Sequence, residues 1–294
     1  GFRGPIISTP ATASVAEIIL RDSAFLQERE ADLLNKYKAT KHAPALPLYD
    51  SDDAQRTLEL FTTRPFGTEF GVPGLDATVT FRRAGHILGA ATADVLWQGR
   101  RVVFSGDLGR YDDPLMLPPE SVSAADYVVL ESTYGDRVHE RTDPAHALGA
   151  VITATVARRG TVVIPAFAVG RAQTLLYYLW QLRCAGRLPD IPVYLDSPMA
   201  INASDLLHTH QRDHRLPPDV CADMCDIATY TRDPEESKQI SANRAPKIVI
   251  SASGMATGGR ILHHLAAFAP DPRNTIMVTG YQAPGTRGRA IATG

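Results

Sequence analysis

The sequence predicts an α/β fold built in two parts, and three observations support this prediction. Residues 77–105 contain short segments rich in β-branched residues and separated by glycine and arginine, a pattern typical of an antiparallel meander. After Gly135, short apolar strands alternate with helical segments, and such alternation indicates a mostly parallel sheet flanked by helices. The length of 294 residues is enough for two domains of ordinary size.

Two helices are predicted ahead of the meander. Thr12 has the short hydroxyl side chain that N-cap positions favour, and apolar residues after it recur at the spacing of one helix face. These residues are Val15, Ile18, Ile19, Ala24, Phe25 and Leu26. A second helical pattern covers Asp53–Thr62.

The predicted strands of the first part are short. The meander comprises Ala77–Phe81, Ala93–Trp97 and Val102–Ser105. Tyr127–Leu130 is an uninterrupted apolar run of strand length, which predicts a further strand that is buried.

The second part alternates regularly between helices and strands. The predicted helices are Pro144–Ala157, Arg171–Cys184, Met199–His208 and Gly259–Phe268, and the predicted strands are Thr161–Ile164, Val193–Leu195, Lys247–Ser251 and Thr275–Thr279. The change of rhythm indicates a domain boundary between Gly135 and Asp143, and we divide the chain into residues 1–136 and 137–294. The proline- and charge-rich stretch Arg212–Glu236 is expected to be irregular.

Composition excludes several classes of protein. The net charge of −2 is not that of a polycation that attracts nucleic acid over its whole surface. The apolar runs have strand length, which argues against a membrane span, and no signal-peptide pattern opens the chain. Three cysteines are too few for a disulfide framework, so we expect a reducing, cytoplasmic setting and an incidental role for Cys221 and Cys225. Both ends interrupt a structural pattern, and we expect that the chain is cut at both.

Two glycine-flanked polar residues are candidates for metal binding. His86 lies in Gly85–Ala90, and Asp107 lies in Phe104–Gly109. Glycine lets the backbone turn sharply after a strand and leaves such a side chain facing a cleft. Imidazole and carboxylate are ordinary zinc ligands. Taken alone, such a pair is more often a hydrogen-bonded core histidine and a turn aspartate than a metal site.

Glu131 is a third candidate, because it closes the apolar run Tyr127–Leu130. A carboxylate at the end of a buried strand is unfavourable unless it is paired or functional. The alternative is a structural glutamate that caps a helix or fixes a loop.

The turns that follow strands in the second part are candidates for anion binding. They are residues 165–171, 196–200, 251–255 and 280–286. Ligands of open α/β sheets bind beyond the carboxyl ends of the strands, where helix N-termini offer free N–H groups. Arg171 could add a bidentate phosphate contact. None of these turns matches a mononucleotide or dinucleotide fingerprint, so a nucleotide cofactor is not indicated.

Two histidine-rich segments are more typical of structural residues than of ligands. His208, His210 and His214 resemble a metal motif but carry one residue too many before Asp213, and they follow a predicted helix. His263 and His264 lie within a predicted helix, where we expect surface and core packing.

Taken together, the motifs resemble a known family. The chain contains, in this order, the motifs AGHILGAA, FSGDLGR, ESTYG, PAFAVGRAQ, YLDSPMA, SASGMATGGR and GYQAPGTRGR. This ordered set resembles the β-CASP branch of the metallo-β-lactamase superfamily, which contains RNA-processing nucleases. The resemblance covers nearly the whole chain. It implies a partial metallo-β-lactamase αββα sandwich in residues 1–136 and a β-CASP domain in residues 137–294.

The resemblance also implies roles for individual residues. His86 would be a ligand of one zinc, Asp107 would bridge two zinc ions, and Glu131 would be an acidic residue of the catalytic set. Arg171, together with Ser253 and Gly254, would face the RNA backbone. The implied reaction is two-metal hydrolysis of RNA phosphodiester bonds, and the resemblance allows a homodimer.

The main departures from the family pattern lie outside the chain, and one lies within it, where Thr174 follows Gln173 in place of an expected acidic residue. The family's His-x-His-x-Asp-His motif and its two later histidines are absent, so we expect the chain by itself to bind zinc poorly and to be inactive. Two alternatives remain: a metal-dead RNA-binding scaffold, and a metallo-β-lactamase-fold hydrolase that does not act on RNA.

Overall fold

The computed structural model describes residues 2–136, 138 and 141–294 and divides into two compact units, Gly1–Glu131 and Ser132–Gly294. The predicted boundary between residues 136 and 137 falls beside Arg137, which lies outside the described residues. Both units combine helices with a five-stranded sheet, so the predicted α/β fold is confirmed. No helix in the described part of the chain is long and apolar enough to cross a membrane.

The first unit has seven strands and two helices among its described residues. The strands are β1 (Ile6–Ser8), β2 (Phe61–Thr63), β3 (Glu69–Gly71), β4 (Ala77–Arg83), β5 (Ala91–Trp97), β6 (Arg100–Phe104) and β7 (Tyr127–Val129), and the helices are α1 (Pro10–Tyr37) and α2 (Ser51–Leu58). The main sheet has the order β3-β4-β5-β6-β7, antiparallel except for the parallel pair β6–β7. The predicted meander is therefore confirmed, with longer strands β4 and β5.

The predicted start of α1 and both predicted ends of α2 are wrong. Thr9 caps α1, because its hydroxyl accepts the N–H of Thr12 at 3.1 Å and Pro10 is suited to the first helical position. Asp50 caps α2 through a reciprocal bond with Asp53, so this helix begins earlier than predicted. It also ends earlier, because Phe61–Thr63 pairs as β2 with β1.

The expectation that Tyr127–Leu130 is buried is also wrong. In β7 the side chains of Tyr127, Val128 and Val129 are 59%, 61% and 53% exposed. Among the described residues, β7 is the edge strand of its sheet and pairs with β6 alone. An apolar run predicts a strand, but its burial depends on what packs against both faces.

The second unit contains the predicted parallel sheet. Its strands are β8 (Val162–Pro165), β9 (Val193–Leu195), β10 (Thr229–Tyr230), β11 (Ile248–Ser251) and β12 (Thr275–Ile276). Its helices are α3 (Pro144–Ala157), α4 (Arg171–Cys184), α5 (Pro198–Thr209), α6 (Pro218–Cys225), α7 (Pro234–Ala242), α8 (Ile261–Phe268) and α9 (Arg287–Thr293). The strand order is β10-β9-β11-β8-β12, and all pairs are parallel.

The core of the second unit surrounds its central strands. Every residue of β8 and β11 is buried, as expected for the middle of a sheet covered on both faces. Apolar residues of α3, α4 and α5 complete this core. The stretch Arg212–Glu236 is not irregular as predicted: it holds α6, β10 and the start of α7. Pro218 and Pro234 are the first residues of α6 and α7, so these prolines begin helices rather than break structure.

Candidate functional site

The first unit brings His86 and Asp107 into one cleft. β4 and β6 both run antiparallel to β5, so their carboxyl ends lie at the same end of the sheet. His86 follows β4, and Asp107 follows β6. Both side chains are exposed, and both line an open cleft of about 330 Å³. Thr9 and Thr12 from the start of α1 line the same cleft.

A close backbone contact joins the two loops that carry these residues. The N–H of Gly109 donates to the carbonyl of Ala84 at 2.8 Å. A Cβ atom on Gly109 would lie 1.7 Å from the Gly85 carbonyl oxygen and 2.7 Å from the backbone nitrogen of His86. Only glycine fits at this position, so the FSGDLGR motif positions His86 as well as Asp107.

A second glycine joins the start of α1 to the same site. The carbonyl of Gly89 accepts the hydroxyls of Thr9 at 2.9 Å and of Thr12 at 2.7 Å. Gly89 has a φ of +80°, and a Cβ atom there would lie 2.3 Å from the backbone nitrogen of Thr12. The N-cap of α1 therefore anchors the loop that follows His86.

Glu131 contacts the loop of Asp107. Its carboxylate accepts the N–H of Leu108 at 3.3 Å, and its own N–H donates to the hydroxyl of Ser105 at 3.0 Å. The Ser105 carbonyl in turn accepts the Thr92 hydroxyl at 2.9 Å. These contacts support the structural alternative, in which Glu131 fixes the loop. A catalytic role for Glu131 stays a prediction.

The described residues do not complete a metal site by themselves. Zinc needs three or four protein ligands. His86 and Asp107 have suitable donor atoms, but among residues 2–136, 138 and 141–294 no group of three or more His, Cys, Asp or Glu side chains could hold a metal ion. The pair can therefore supply part of a ligand set, and we derive no chemical step through a metal.

The second unit brings together the predicted phosphate-binding turns at the carboxyl ends of its parallel strands. The loop after β11 packs on the loop after β8: a Cβ atom on Gly254 would lie 2.8 Å from the backbone nitrogen of Phe167. Gln282 from the turn after β12 donates to the Gly254 carbonyl at 3.0 Å. Ser253 holds its own loop, because its hydroxyl accepts the N–H of Thr257 at 3.0 Å.

Arg171 lies in the same group of loops. It is the first residue of α4 and is exposed, and its Nε lies 3.9 Å from the position that a Gly280 Cβ would take. Within the described part of the chain its guanidinium makes no ion pair and no hydrogen bond. This side chain is therefore available to an external anion.

A buried ionic cluster around Asp196 was not predicted. Asp196 follows β9 and is 0% exposed. Its carboxylate accepts Nε2 of His264 at 2.7 Å, a guanidinium nitrogen of Arg260 at 2.6 Å and the hydroxyl of Ser237 at 2.5 Å. The turn at residues 196–200 was recognised from the sequence, but nothing local indicated that this aspartate is buried.

His214 and His264 have structural roles, and His263 lies at the surface, as predicted. His264 is buried in the Asp196 cluster, and His263 is exposed. His214 is buried, and both ring nitrogens are used by the backbone: Nδ1 accepts the N–H of Leu216 at 3.1 Å, and Nε2 contacts the Leu207 carbonyl at 2.9 Å. A histidine held in this way has no free nitrogen for a metal.

Comparison with known proteins places these features in a family. Residues 172–291 match the Beta-Casp domain. A ribonuclease of Thermus thermophilus is 32% identical over 99% of this chain and 64% of its own length. The transcription termination factor FttA of Methanosarcina mazei is 31% identical over 100% of this chain and 46% of its own length. An RNase J-like protein of Methanocaldococcus jannaschii is 32% identical over 73% of this chain and 51% of its own length.

The chain thus spans about half to two thirds of the length of these relatives. The matched region 172–291 coincides with the parallel sheet from α4 onward and includes the loops around Gly254 and Gln282. The remainder of the alignment extends through the first unit with its His86 and Asp107 loops. Residues 172–291 therefore match a Beta-Casp domain, and the similarity through the first unit is consistent with a β-CASP protein of the metallo-β-lactamase fold.

Proposed function

We propose that the protein containing this chain is a zinc-dependent ribonuclease that hydrolyses RNA phosphodiester bonds. The observation that carries the proposal is the meeting of His86 and Asp107, from two separate loops, in one open cleft. Relatives named as a ribonuclease and an RNase J-like protein support RNA as the substrate.

In this proposal His86 and Asp107 supply part of the ligand set for two zinc ions, and residues outside the chain complete it. Bound zinc would act as a Lewis acid toward the phosphate oxygens. Glu131 holds the loop of Asp107 through the N–H of Leu108 and would thereby help to position this ligand.

We expect Asp107→Ala in the full-length protein to lower RNA cleavage by more than about 100-fold, since even the outer partners of metal ligands are worth about 10–100-fold. The measurement is cleavage of an end-labelled RNA, together with elemental analysis of bound zinc. Asp112→Ala is the matched control: its carboxylate is exposed and pairs with Arg110 two residues away. Both activity and zinc content should survive this change.

An intact protein without zinc and without cleavage, yet with affinity for RNA, would contradict the enzymatic proposal. It would favour the RNA-binding scaffold instead. Cleavage of a small ester or thioester with no action on RNA would favour the third alternative.

We further propose that Arg171, with the loop at Ser253 and Gly254, binds an RNA phosphate. Arg171→Ala should weaken RNA binding by about 10–100-fold, the worth of one charge-assisted contact. It should also make the slope of log affinity against log salt shallower by about 0.7–1, because one phosphate contact is lost.

Arg183→Ala is the matched control for this binding experiment. It removes the same charge from the same helix, but at the opposite end of α4. Filter binding of a single-stranded RNA at several salt concentrations gives both quantities. Equal losses in the two variants would show that Arg171 acts only through net charge.

A further inference from the structure

Cys221 and Cys225 lie one turn apart on α6, a spacing that makes their side chains neighbours on the helix. Cys221 is 0% exposed, whereas Cys225 is half-buried. The third cysteine, Cys184, is exposed at the end of α4. Within the pair, therefore, a solvent-borne reagent reaches Cys225 and not Cys221.

The surroundings of Cys225 favour its thiolate. The hydrogen bond with Cys221 lowers the pKa of the Cys225 thiol, and Tyr230 and His208 act in the same direction against the effect of burial. The same hydrogen bond, followed by burial, raises the pKa of the Cys221 thiol. The thiolate is the reactive form of cysteine, so the accessible member of the pair is also the nucleophilic one.

We propose that Cys221 and Cys225 form a redox-active pair that a hydroperoxide converts reversibly into an intramolecular disulfide. The proposal does not depend on ribonuclease activity, because neither residue belongs to the His86 cleft or to the Arg171 loops. It also replaces the incidental role that the sequence favoured for these cysteines.

The reaction has two steps with hydrogen peroxide as oxidant. The Cys225 thiolate attacks one peroxide oxygen, an S–O bond forms, and the O–O bond breaks. Hydroxide leaves and takes up the proton that Cys225 had released, which leaves a sulfenic acid. The Cys221 sulfur then attacks the Cys225 sulfur, an S–S bond forms, and the S–O bond breaks. The departing hydroxide takes the Cys221 proton, so two thiols and one peroxide give one disulfide and two waters.

Disulfide formation requires a local change at the end of α6. Cβ atoms four residues apart in a helix are separated by about 5–6 Å, whereas a disulfide needs about 3.5–4.5 Å. Cys225 is the last residue of α6. It can therefore approach Cys221 by a change in the final turn alone, and we expect oxidation to loosen that turn.

The test is differential alkylation of the reduced chain before and after peroxide, read by mass spectrometry. Trypsin releases residues 216–232 as one peptide that contains both members of the pair, and Cys184 appears in a separate peptide. After peroxide, the 216–232 peptide should lose two hydrogen atoms in mass and resist alkylation, and dithiothreitol should reverse this. Cys225 should react at least about tenfold faster than Cys184.

Four variants make the order of events testable. Cys221→Ser should stop at the Cys225 sulfenic acid, which a 1,3-diketone reagent traps. Cys225→Ser should leave Cys221 open to alkylation once the peroxide-treated chain is unfolded. Cys184→Ser is the matched control and should behave like the parent chain, and Cys221→Ala repeats the trapping experiment if serine at this buried site lowers the melting temperature. Oxidation of Cys184 before the pair, or a pair that stays fully alkylated, would overturn the proposal.

Discussion

Asp196→Asn is expected to lower the free energy of unfolding of the second unit by about 3–5 kcal/mol, the usual effect of removing one partner from a buried ion pair. The carboxylate is 0% exposed and accepts bonds from His264, Arg260 and Ser237. The single oxygen of an asparagine amide cannot accept all three of these bonds. Its NH2 group can only donate, so it would face donor groups that need an acceptor. The Arg260 guanidinium would keep only its contacts with the carbonyls of Thr231 and Arg232.

The two tryptophans allow this unit to be followed separately. Trp180 lies in α4 and Trp97 in β5, so urea unfolding in a Trp97→Phe background reports the second unit through Trp180 fluorescence. Asp205→Asn is the matched control, because Asp205 belongs to an exposed pair with Arg232. That substitution should lower the free energy of unfolding of the second unit by less than about 1 kcal/mol. Equal effects of the two variants would mean that the Asp196 cluster is not a buried ionic network.

The Asp196 effect should also depend on pH. Burial opposes ionisation of Asp196, but the hydrogen bonds from His264, Ser237 and Arg260 outweigh it and hold the pKa of this carboxyl below its ordinary value. A lowered carboxyl pKa contributes stability that is present above about pH 3.9 and is lost as the pH falls further. The difference in the free energy of unfolding between the parent chain and Asp196→Asn should therefore become smaller below about pH 4.

Gly109→Ala is expected to destabilise the first unit by about 3 kcal/mol, the upper end of the usual range for overpacking. The added methyl would lie 1.7 Å from the Gly85 carbonyl oxygen, so one of two backbone segments has to move. Those segments carry His86 and Asp107. The same substitution in the full-length protein should therefore reduce zinc binding even where the protein still folds.

Gly71→Ala is the matched control for this substitution. Gly71 lies in β3 of the same unit, and a Cβ atom there would meet nothing within 4 Å. We expect Gly71→Ala to change the free energy of unfolding of the first unit by less than about 1 kcal/mol. Urea unfolding in a Trp180→Phe background follows the first unit through Trp97. A Gly109→Ala variant as stable as the Gly71→Ala variant would show that the two loops do not approach as closely as the structure has them.

Local sequence signals predicted the elements whose ends are set by their own residues. Pro144–Ala157 and Arg171–Cys184 were predicted with the bounds that the structure has, because Asp143 with Pro144, and Gly170 with its Gln173 partner, cap these helices locally. The alternation of strands and helices likewise predicted the parallel sheet. The misplaced starts of α1 and α2 were near misses: the N-cap of α1 is Thr9 instead of the predicted Thr12, and α2 begins at Ser51 instead of the predicted Asp53.

The residues of the candidate site could be predicted from local signals, but their contacts could not. His86, Asp107, Glu131 and Arg171 were found from strand ends, flanking glycines and the order of motifs. The structure brings His86 and Asp107 together, but it also ties Glu131 to a loop, a contact that no local pattern indicates.

The sequence by itself determined the α/β class, the order of most elements and the family, because these depend on periodicity and on motifs that lie within short segments. Only the tertiary structure decided which residues are buried and which of them meet. The Asp196–His264 bond joins residues 68 positions apart, the apolar side chains of β7 are exposed, and Gly109 is required by a contact with Gly85. Such relations depend on how distant segments pack, and a periodic pattern records only that a face is apolar, not what covers it.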